Sequence, residues 1–158
     1  MDRAFFYVDG IPTKGIWVAL ESVNGWADVI QALQEAGHQN PDEILCADAE
    51  GLASHFLTRY DCFDLVGYTE CRDECNWAPE GAKAAYIECF GSWDATGFEE
   101  AYSGDWDNDL ALAEDFIEST GMLSDMPENL LWYFDTEKFA RDLMLDYSES
   151  GGHYFRNI

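Results

Sequence analysis

Basic residues are scarce in this 158-residue sequence: eight lysines and arginines stand against 32 aspartates and glutamates, which gives a formal net charge of −24. A protein that binds nucleic acid needs positive groups to meet the phosphates, so this balance argues against nucleic acid as a ligand and favours a basic partner. A net charge of this size also destabilises the compact state through self-repulsion. We therefore expect the negative field to be used in the function.

Long apolar runs and a signal-like opening are missing as well. No run approaches the length of a transmembrane helix, and the start, MDRAFFYVDGIP, has an acid in its first residues and a short apolar run. The cysteines are five, an odd number, and only Cys71 and Cys75 are closely spaced, with no second pair at zinc-site spacing. We expect reduced thiols, a cytoplasmic location and no membrane partner.

Motifs of catalysis are also absent. The three histidines, His38, His55 and His153, are scattered, and the sequence has no H-E-x-x-H pair, Gly-rich phosphate loop or G-x-S-x-G elbow. Carboxylate pairs carry little information, because 32 acids give such pairs by chance. We expect no enzymatic activity and no cofactor, and a carboxylate enzyme is the least favoured class.

What the sequence does contain is enough apolar material to fold and an acid density close to that of DNA. Hydrophobic residues make up 47% and aromatic residues 15%, which excludes disorder. The 24 charges match those on about 41 Å of duplex, near the diameter of a compact chain of this length. Residues 98–158 hold 15 acids against three basic residues, half of the total excess. Halophilic and acidic chaperone-like proteins reach similar densities, and a merely solvating surface stays an alternative.

One acidic stretch resembles a calcium-binding loop. In DWDNDLALAEDF (105–116), Asp105, Asp107 and Asp109 occupy positions 1, 3 and 5 of an EF-hand loop. However, Leu110 and Phe116 stand where the loop requires Gly and Glu. We therefore predict no metal site, and divalent-cation binding remains the weaker alternative.

Periodicity and turn residues predict an α+β fold in three segments. Residues 1–60 are a ββαβ domain, with a hairpin of strands at 3–8 and 14–20, a helix from Trp26 that Asn24 caps, and a third strand at 43–47. Residues 61–97 are a mostly helical connector domain, in which Pro79 opens a helix.

Residues 98–158 are an α+β domain. Its first helix lies at about 109–120 and ends at Gly121, and the side chains expected inside are Leu110, Ala113, Phe116 and Ile117. A second helix runs from Pro127 through Phe134, Asp135 caps a third, and a closing strand lies at 154–158.

The C-terminal stretches FEEAYSG, AEDFIESTG and MPENLLWYFDTEKFARDL, together with FFYVDG, GIWVAL and ADAEG near the start, resemble the ArdA-type antirestriction proteins. The resemblance covers most of residues 3–158, is strongest after Phe98 and is weak from about 52 to 97. The residues that match the family's motifs are Asp48, Glu50, Gly51, Gly104, Gly121, Pro127, Tyr133, Asp135, Arg141 and Asp142.

The resemblance implies an elongated, curved, three-domain protein with small antiparallel or mixed sheets, helices at both ends and a mostly helical middle domain. It implies a homodimer formed through the C-terminal domain, acting in a bacterial host cell. Surface carboxylates would replace the phosphates of bent B-form DNA and occupy the DNA-binding groove of a type I restriction-modification enzyme, its methyltransferase core with the specificity subunit. Inhibition of another DNA-binding defence protein, such as a CRISPR effector, is the alternative.

The C-terminal domain supplies the candidate acids of this DNA-mimic surface. A solvating helix face would mix in lysines, whereas Glu114, Asp115 and Glu118 lie at like-charge i,i+3 and i,i+4 spacings. The twelve predicted members are Asp105, Asp107, Asp109, Glu114, Asp115, Glu118, Asp125, Glu128, Asp135, Glu137, Asp142 and Asp146.

Overall fold

A computed structural model describes residues 1–157 of the chain. Over these residues the chain forms six β-strands and seven α-helices, with two separate three-stranded antiparallel sheets, which confirms the predicted α+β class. The elongated shape and the three-domain division stay predictions.

The first sheet is formed by β1 (Arg3–Val8), β2 (Ile16–Ala19) and β3 (Ile44–Glu50) in the order β2-β1-β3. The predicted hairpin and third strand are confirmed. On β1, Ala4, Phe6 and Val8 face the core on one side of the sheet, and Tyr7 on the other side is buried as well. Helix α1 (Trp26–Glu35) packs against this sheet through Val29 and Leu33.

The predicted cap of α1 is wrong. Gly25 occupies the N-cap position, and the backbone N–H of Asn24 instead donates to Asp28 Oδ2 at 2.7 Å. An acid in the first turn of the helix therefore reaches back to the preceding backbone, in a position that the helix dipole also favours.

The middle of the chain holds α2 (Leu65–Asp73) and α3 (Ala82–Phe90). Helix α3 begins after Gly81 and not at Pro79, because a turn in which Ala82 N donates to Pro79 O comes first. Lys83 Nζ donates to the carbonyls of Cys71 (2.7 Å), Arg72 (3.0 Å) and Glu74, and so caps the C-terminus of α2.

Two apolar clusters hold the chain together, and α3 contributes to both. The first cluster contains residues from Ala4 to Ile87, and the second contains residues from Ala82 to Phe155. Trp93 packs against both. The predicted 60/61 boundary therefore falls within the first cluster, while the division into domains stays a prediction.

The C-terminal part contains α4 (Ala95–Ala101), β4 (Tyr102–Asp105), α5 (Asp109–Thr120), α6 (Glu128–Leu131), α7 (Thr136–Leu143), β5 (Tyr147–Ser150) and β6 (His153–Arg156). The second sheet has the order β4-β6-β5. Elements α4, β4 and β5 are additional to the sequence-based expectation. Ile158, which the predicted closing strand includes, lies outside the described residues.

Several local expectations in this part are confirmed, and two need correction. Helix α5 has the predicted bounds, and Gly121 ends it with a φ of 62°. Leu112 is buried there although Leu110 was expected inside, since Leu112 and Ala113 face the interior together. Helix α6 is a single turn that ends at Leu131 and does not continue through Phe134.

Gly51 gives a direct test of the packing around the chain start. It has a φ of +72°, and an added Cβ would lie 2.1 Å from Asp2 Oδ1, which accepts from Leu52 N at 2.9 Å. We expect Gly51→Ala to lower the free energy of unfolding by about 3 kcal/mol, the sum of backbone strain and a disturbed hydrogen bond. Chemical denaturation measures this change.

Gly10→Ala is the matched control. Gly10 has a similar φ of +66°, but an added Cβ meets nothing within 4 Å. We expect this variant to lose only about 1–2 kcal/mol from the backbone conformation. Equal losses in the two variants would contradict the role of the Asp2 contact.

Candidate functional site

The carboxylates lie almost without exception on the outside of the fold. Of the 32 acidic residues, every one except Asp2 is exposed. The twelve predicted surface acids are all exposed: Asp105 at the end of β4, Asp107 in the next loop, Asp109, Glu114, Asp115 and Glu118 on α5, Asp125 and Glu128 around the start of α6, Asp135, Glu137 and Asp142 along α7, and Asp146 before β5.

The basic residues do little to neutralise this charge. Among residues 1–157, only Glu50 and Asp73 have a carboxylate within 4.0 Å of a lysine or arginine nitrogen. Arg3 binds Glu50 through two hydrogen bonds of 2.6 and 2.8 Å and lies over the Trp17 ring. This pairing lowers the pKa of Glu50 from its ordinary value. The remaining carboxylates therefore keep most of their field.

Arg72 shows where the few cations are used. Its guanidinium donates to Asp73 at 2.6 and 2.8 Å, and its Nη1 also donates to the carbonyls of Leu20 and Val23 at 2.9 and 2.6 Å. The hydrogen bond from Arg72 lowers the pKa of Asp73. The Arg72 side chain thus joins α2 to the segment before α1. Its charge stabilises the fold and neutralises only one carboxylate, that of Asp73.

Residues 98–157 contain no such pairing. Within residues 98–157, Lys138, Arg141 and Arg156 are exposed, and none has a carboxylate oxygen within 4.0 Å. On α5, Glu114, Asp115 and Glu118 point outward. Like charges at these spacings cost an isolated helix about 0.2–0.5 kcal/mol for each pair. The burial of Leu112 and Ala113 on the opposite face of α5 offsets that cost.

Two of the predicted acids also have a local structural role. Asp135 Oδ1 accepts from Lys138 N at 3.0 Å, which confirms Asp135 as the cap of α7. Asp109 Oδ1 accepts from Tyr154 Oη at 2.8 Å, and burial followed by this bond raises the pKa of Tyr154. These bonds fix the two carboxylates while both residues stay exposed.

Most of the residues that match the family's motifs shape the backbone. Gly51, Gly104 and Gly121 have φ values of 72°, 106° and 62°, which favour glycine. Other members are Asp48, whose Oδ1 accepts from Ala49 N, Glu50 in its pair with Arg3, Pro127 at the start of α6, Asp135 at the start of α7, and the exposed Tyr133, Arg141 and Asp142. The motif thus sets turns and helix ends as well as surface groups.

Sequence reasoning missed an exposed apolar cluster, which we define as the consecutive residues Leu130, Leu131, Trp132 and Tyr133. Trp132 is 87% exposed and Tyr133 84%. The run LLWY was expected to continue the helix that begins near Pro127. Because α6 is only one turn long, these side chains stay on the surface.

The calcium-loop residues do not form a metal centre in the described part of the chain. Asp105 ends a strand and Asp109 begins a helix, so the loop's ligand positions belong to different elements. Within residues 1–157, no group of three or more His, Cys, Asp or Glu side chains is arranged to hold a metal ion. The helices of this same part include none that is long and apolar enough to cross a membrane.

Nearly all acids of this α+β fold are exposed, and very few of them pair with a cation. These features define the class of strongly acidic proteins that present an array of carboxylates on their surface. The model of the family described as antirestriction protein (ArdA) matches residues 7–155. The chain therefore belongs to the ArdA antirestriction protein family, which confirms the resemblance seen in the sequence. Membership implies an antirestriction protein that interacts with type I restriction enzymes. No curated protein matched the chain.

The unpaired charge predicts a stability that rises with salt. Salt screens exposed charges over about 10 Å at 0.1 M, so added NaCl relieves the self-repulsion of the native state. We expect the melting temperature to rise by at least about 5 °C between 20 and 500 mM NaCl, equivalent to about 2 kcal/mol. Differential scanning calorimetry measures the rise.

The triple variant E114Q/D115N/E118Q serves as the comparison, because it removes three exposed charges from one helix face. Its melting temperature should be higher at low salt and should depend less on NaCl. A melting temperature that is flat or falls with salt in the unaltered protein would show that self-repulsion is not a major cost.

Proposed function

We propose that this protein inhibits a type I restriction-modification enzyme by mimicking the charge and shape of B-form DNA. The observation that carries the proposal is the exposure of all but one of the 32 acids, with only two paired to lysine or arginine among residues 1–157. The partner surface is the DNA-binding groove formed by the methyltransferase core with its specificity subunit.

Competition, and not catalysis, is the mechanism. A DNA-binding groove gains affinity by placing lysines and arginines on phosphates and releasing counterions. Carboxylates held on helices and turns offer the groove the same sign of charge in a fixed array. Phosphate contacts carry no base-sequence information, so an inhibitor of this kind needs none either. The proposal requires no cofactor, nucleic acid or membrane, and it places the protein in the cytoplasm of a bacterial host.

A homodimer formed through residues 98–158 belongs to the same proposal. Two chains with a charge of −24 repel one another, so association needs an apolar driving force. The exposed apolar cluster supplies one. Lys138 and Arg141 follow it on α7 and lower the local negative charge. The predicted elongated three-domain shape also remains part of this proposal.

Competition with DNA tests the mimicry. We expect the protein to displace a DNA duplex from a purified type I methyltransferase in a fluorescence anisotropy assay, and its affinity to fall steeply from 50 to 300 mM NaCl. The quadruple variant E114Q/D115N/E118Q/E128Q should bind about 80-fold more weakly, whereas each of these four amides alone should change affinity about threefold, because the contribution of each contact is small.

Unchanged DNA binding by several type I methyltransferases in the presence of excess protein would exclude this target. DNA competition against other DNA-binding defence proteins would then be the next measurement. A single amide substitution that abolished inhibition would instead indicate one specific carboxylate site.

Substitution of two similarly exposed tyrosines tests the proposed dimer interface. Tyr133 lies in the exposed apolar cluster and is 84% exposed, while Tyr60 lies in another part of the fold and is 89% exposed. We expect Tyr133→Glu to weaken self-association at least about 100-fold, by adding a charge to a desolvated apolar contact, and Tyr60→Glu to leave it unchanged. Sedimentation equilibrium measures both, and equal behaviour of the two variants would contradict an interface at this cluster.

A further inference from the structure

A polar cleft of about 440 Å³ lies between three segments of the C-terminal half. Its walls come from the chain before α3, the loop after β4 and the turn between β5 and β6. The lining residues are Pro79, Glu80, Asp105, Trp106, Asp107, Gly151, Gly152 and His153. Two of these residues, Asp105 and Asp107, are also among the twelve predicted surface acids.

A β-bulge brings Asp105 and His153 together. On β4, Tyr102 pairs with Phe155 and Asp105 with His153, so β4 has one residue more than β6 between the two pairs. Gly104 takes a φ of +106° within this bulge. Bulges re-aim side chains and are frequent beside functional sites. Here the bulge places Asp105 directly across the ladder from His153, and both residues line the cleft.

His153 turns an unused nitrogen towards the cleft. The residue is 9% exposed, and its Nδ1 lies 3.3 Å from Tyr102 Oη. Its Nε2 has no hydrogen-bond partner within the described chain, although every fully buried polar side-chain atom of residues 1–157 has one. Nε2 is therefore open to the cleft, beside Gly81, where an added Cβ would lie 3.3 Å away.

The walls of the cleft are held by hydrogen bonds. Trp106 N donates to Gly152 O at 2.9 Å, and Trp106 Nε1 donates to Ser103 O at 3.0 Å. Gly152 N donates to Glu149 Oε1 at 2.7 Å. The first bond joins the loop after β4 to the turn between β5 and β6, and the other two each stabilise one of these segments, so the shape of the cleft exists before a partner arrives.

We propose that this cleft binds a guanidinium group, supplied by an arginine of the partner enzyme. The carboxylates of Glu80, Asp105 and Asp107 have no lysine or arginine within 4.0 Å in the described residues and can accept its N–H groups. His153 Nε2 is a further acceptor when the ring proton is on Nδ1, which faces Tyr102 Oη, and the Trp106 ring lines the cleft as an aromatic surface for a planar cation.

The size and the donor set favour guanidinium over other cations. The cleft is as large as a small-ligand pocket and far larger than one metal ion, and the described residues hold no ready-made metal cluster. A guanidinium presents five N–H donors in one plane and stacks on aromatic rings, whereas an ammonium is a compact point charge. DNA-binding grooves supply arginines for phosphates.

That the arginine belongs to a restriction enzyme rests on the proposed function. The preference of the cleft for guanidinium can be measured without a partner protein. We expect N-methylguanidinium, titrated into ¹⁵N-labelled protein, to shift the His153 ring and Trp106 indole signals in a saturable way, with methylammonium at least tenfold weaker. Gly81→Ala, which places a methyl group beside Nε2, should reduce the shifts. Absence of saturable shifts overturns the proposal, and tighter binding of CaCl₂ at the same signals replaces it with a metal site.

A second measurement uses two variants that remove equal charge. D105N/D107N alters the cleft, and E114Q/E118Q alters the exposed face of α5. We expect the cleft variant to lose at least tenfold more inhibition of the methyltransferase than the α5 variant, at matched melting temperatures. Equal losses overturn the cleft as an anchor. An unaltered protein that inhibits no methyltransferase contradicts the proposed function, while the guanidinium titration still decides the cleft.

Discussion

Mutual repulsion among carboxylates is the constraint on which the rest of this structure depends. With a net charge of −24, the chain can fold only if its apolar interior outweighs the electrostatic cost of bringing those charges together. The scarce cations are used accordingly. Arg72 and Lys83 bind backbone carbonyls that join α2 to its neighbours, and Arg3 pairs with Glu50 across the first sheet. They strengthen the scaffold and leave the acids of the C-terminal part unneutralised.

Aromatic packing supplies the rigidity that a fixed charge array requires. The Tyr86 ring lies 4.7–5.8 Å from the rings of Phe90, Trp93, Phe98 and Phe155, so α3 is locked to α4 and to β6. Such pairs add about 0.5–1.5 kcal/mol each beyond the burial of their area. Because α3 also sends Ile87 into the first cluster, motion of one sheet relative to the other would disturb both cores.

Local signals were sufficient where one segment of chain decides its own structure. The β-rich run at 3–8, the helix at 109–120 with its Gly121 stop and the Asp135 cap were all predictable. Strand β5 was not, because it exists through its pairing with β6. The end of α6 at Leu131 was not predictable either, because no Gly or Pro follows it in residues 132–135. The cleft was hidden for the same reason as β5: Asp105 and His153 are far apart in the chain, and the bulge that joins them appears only when β4 pairs with β6.

A charge array and a shaped cleft contribute different things to recognition. Distributed carboxylates attract any basic groove and speed the encounter, but a field summed over many exposed groups gives little control over register. A site whose acceptors are fixed by a bulge, a buried histidine and a glycine turn selects both the kind of cation and its position. On DNA, ordered phosphate contacts set the orientation and register of the bound protein, and base contacts read the sequence. An inhibitor that replaces DNA needs the first and not the second, and a guanidinium-sized cleft gives it one fixed contact that sets register without any base.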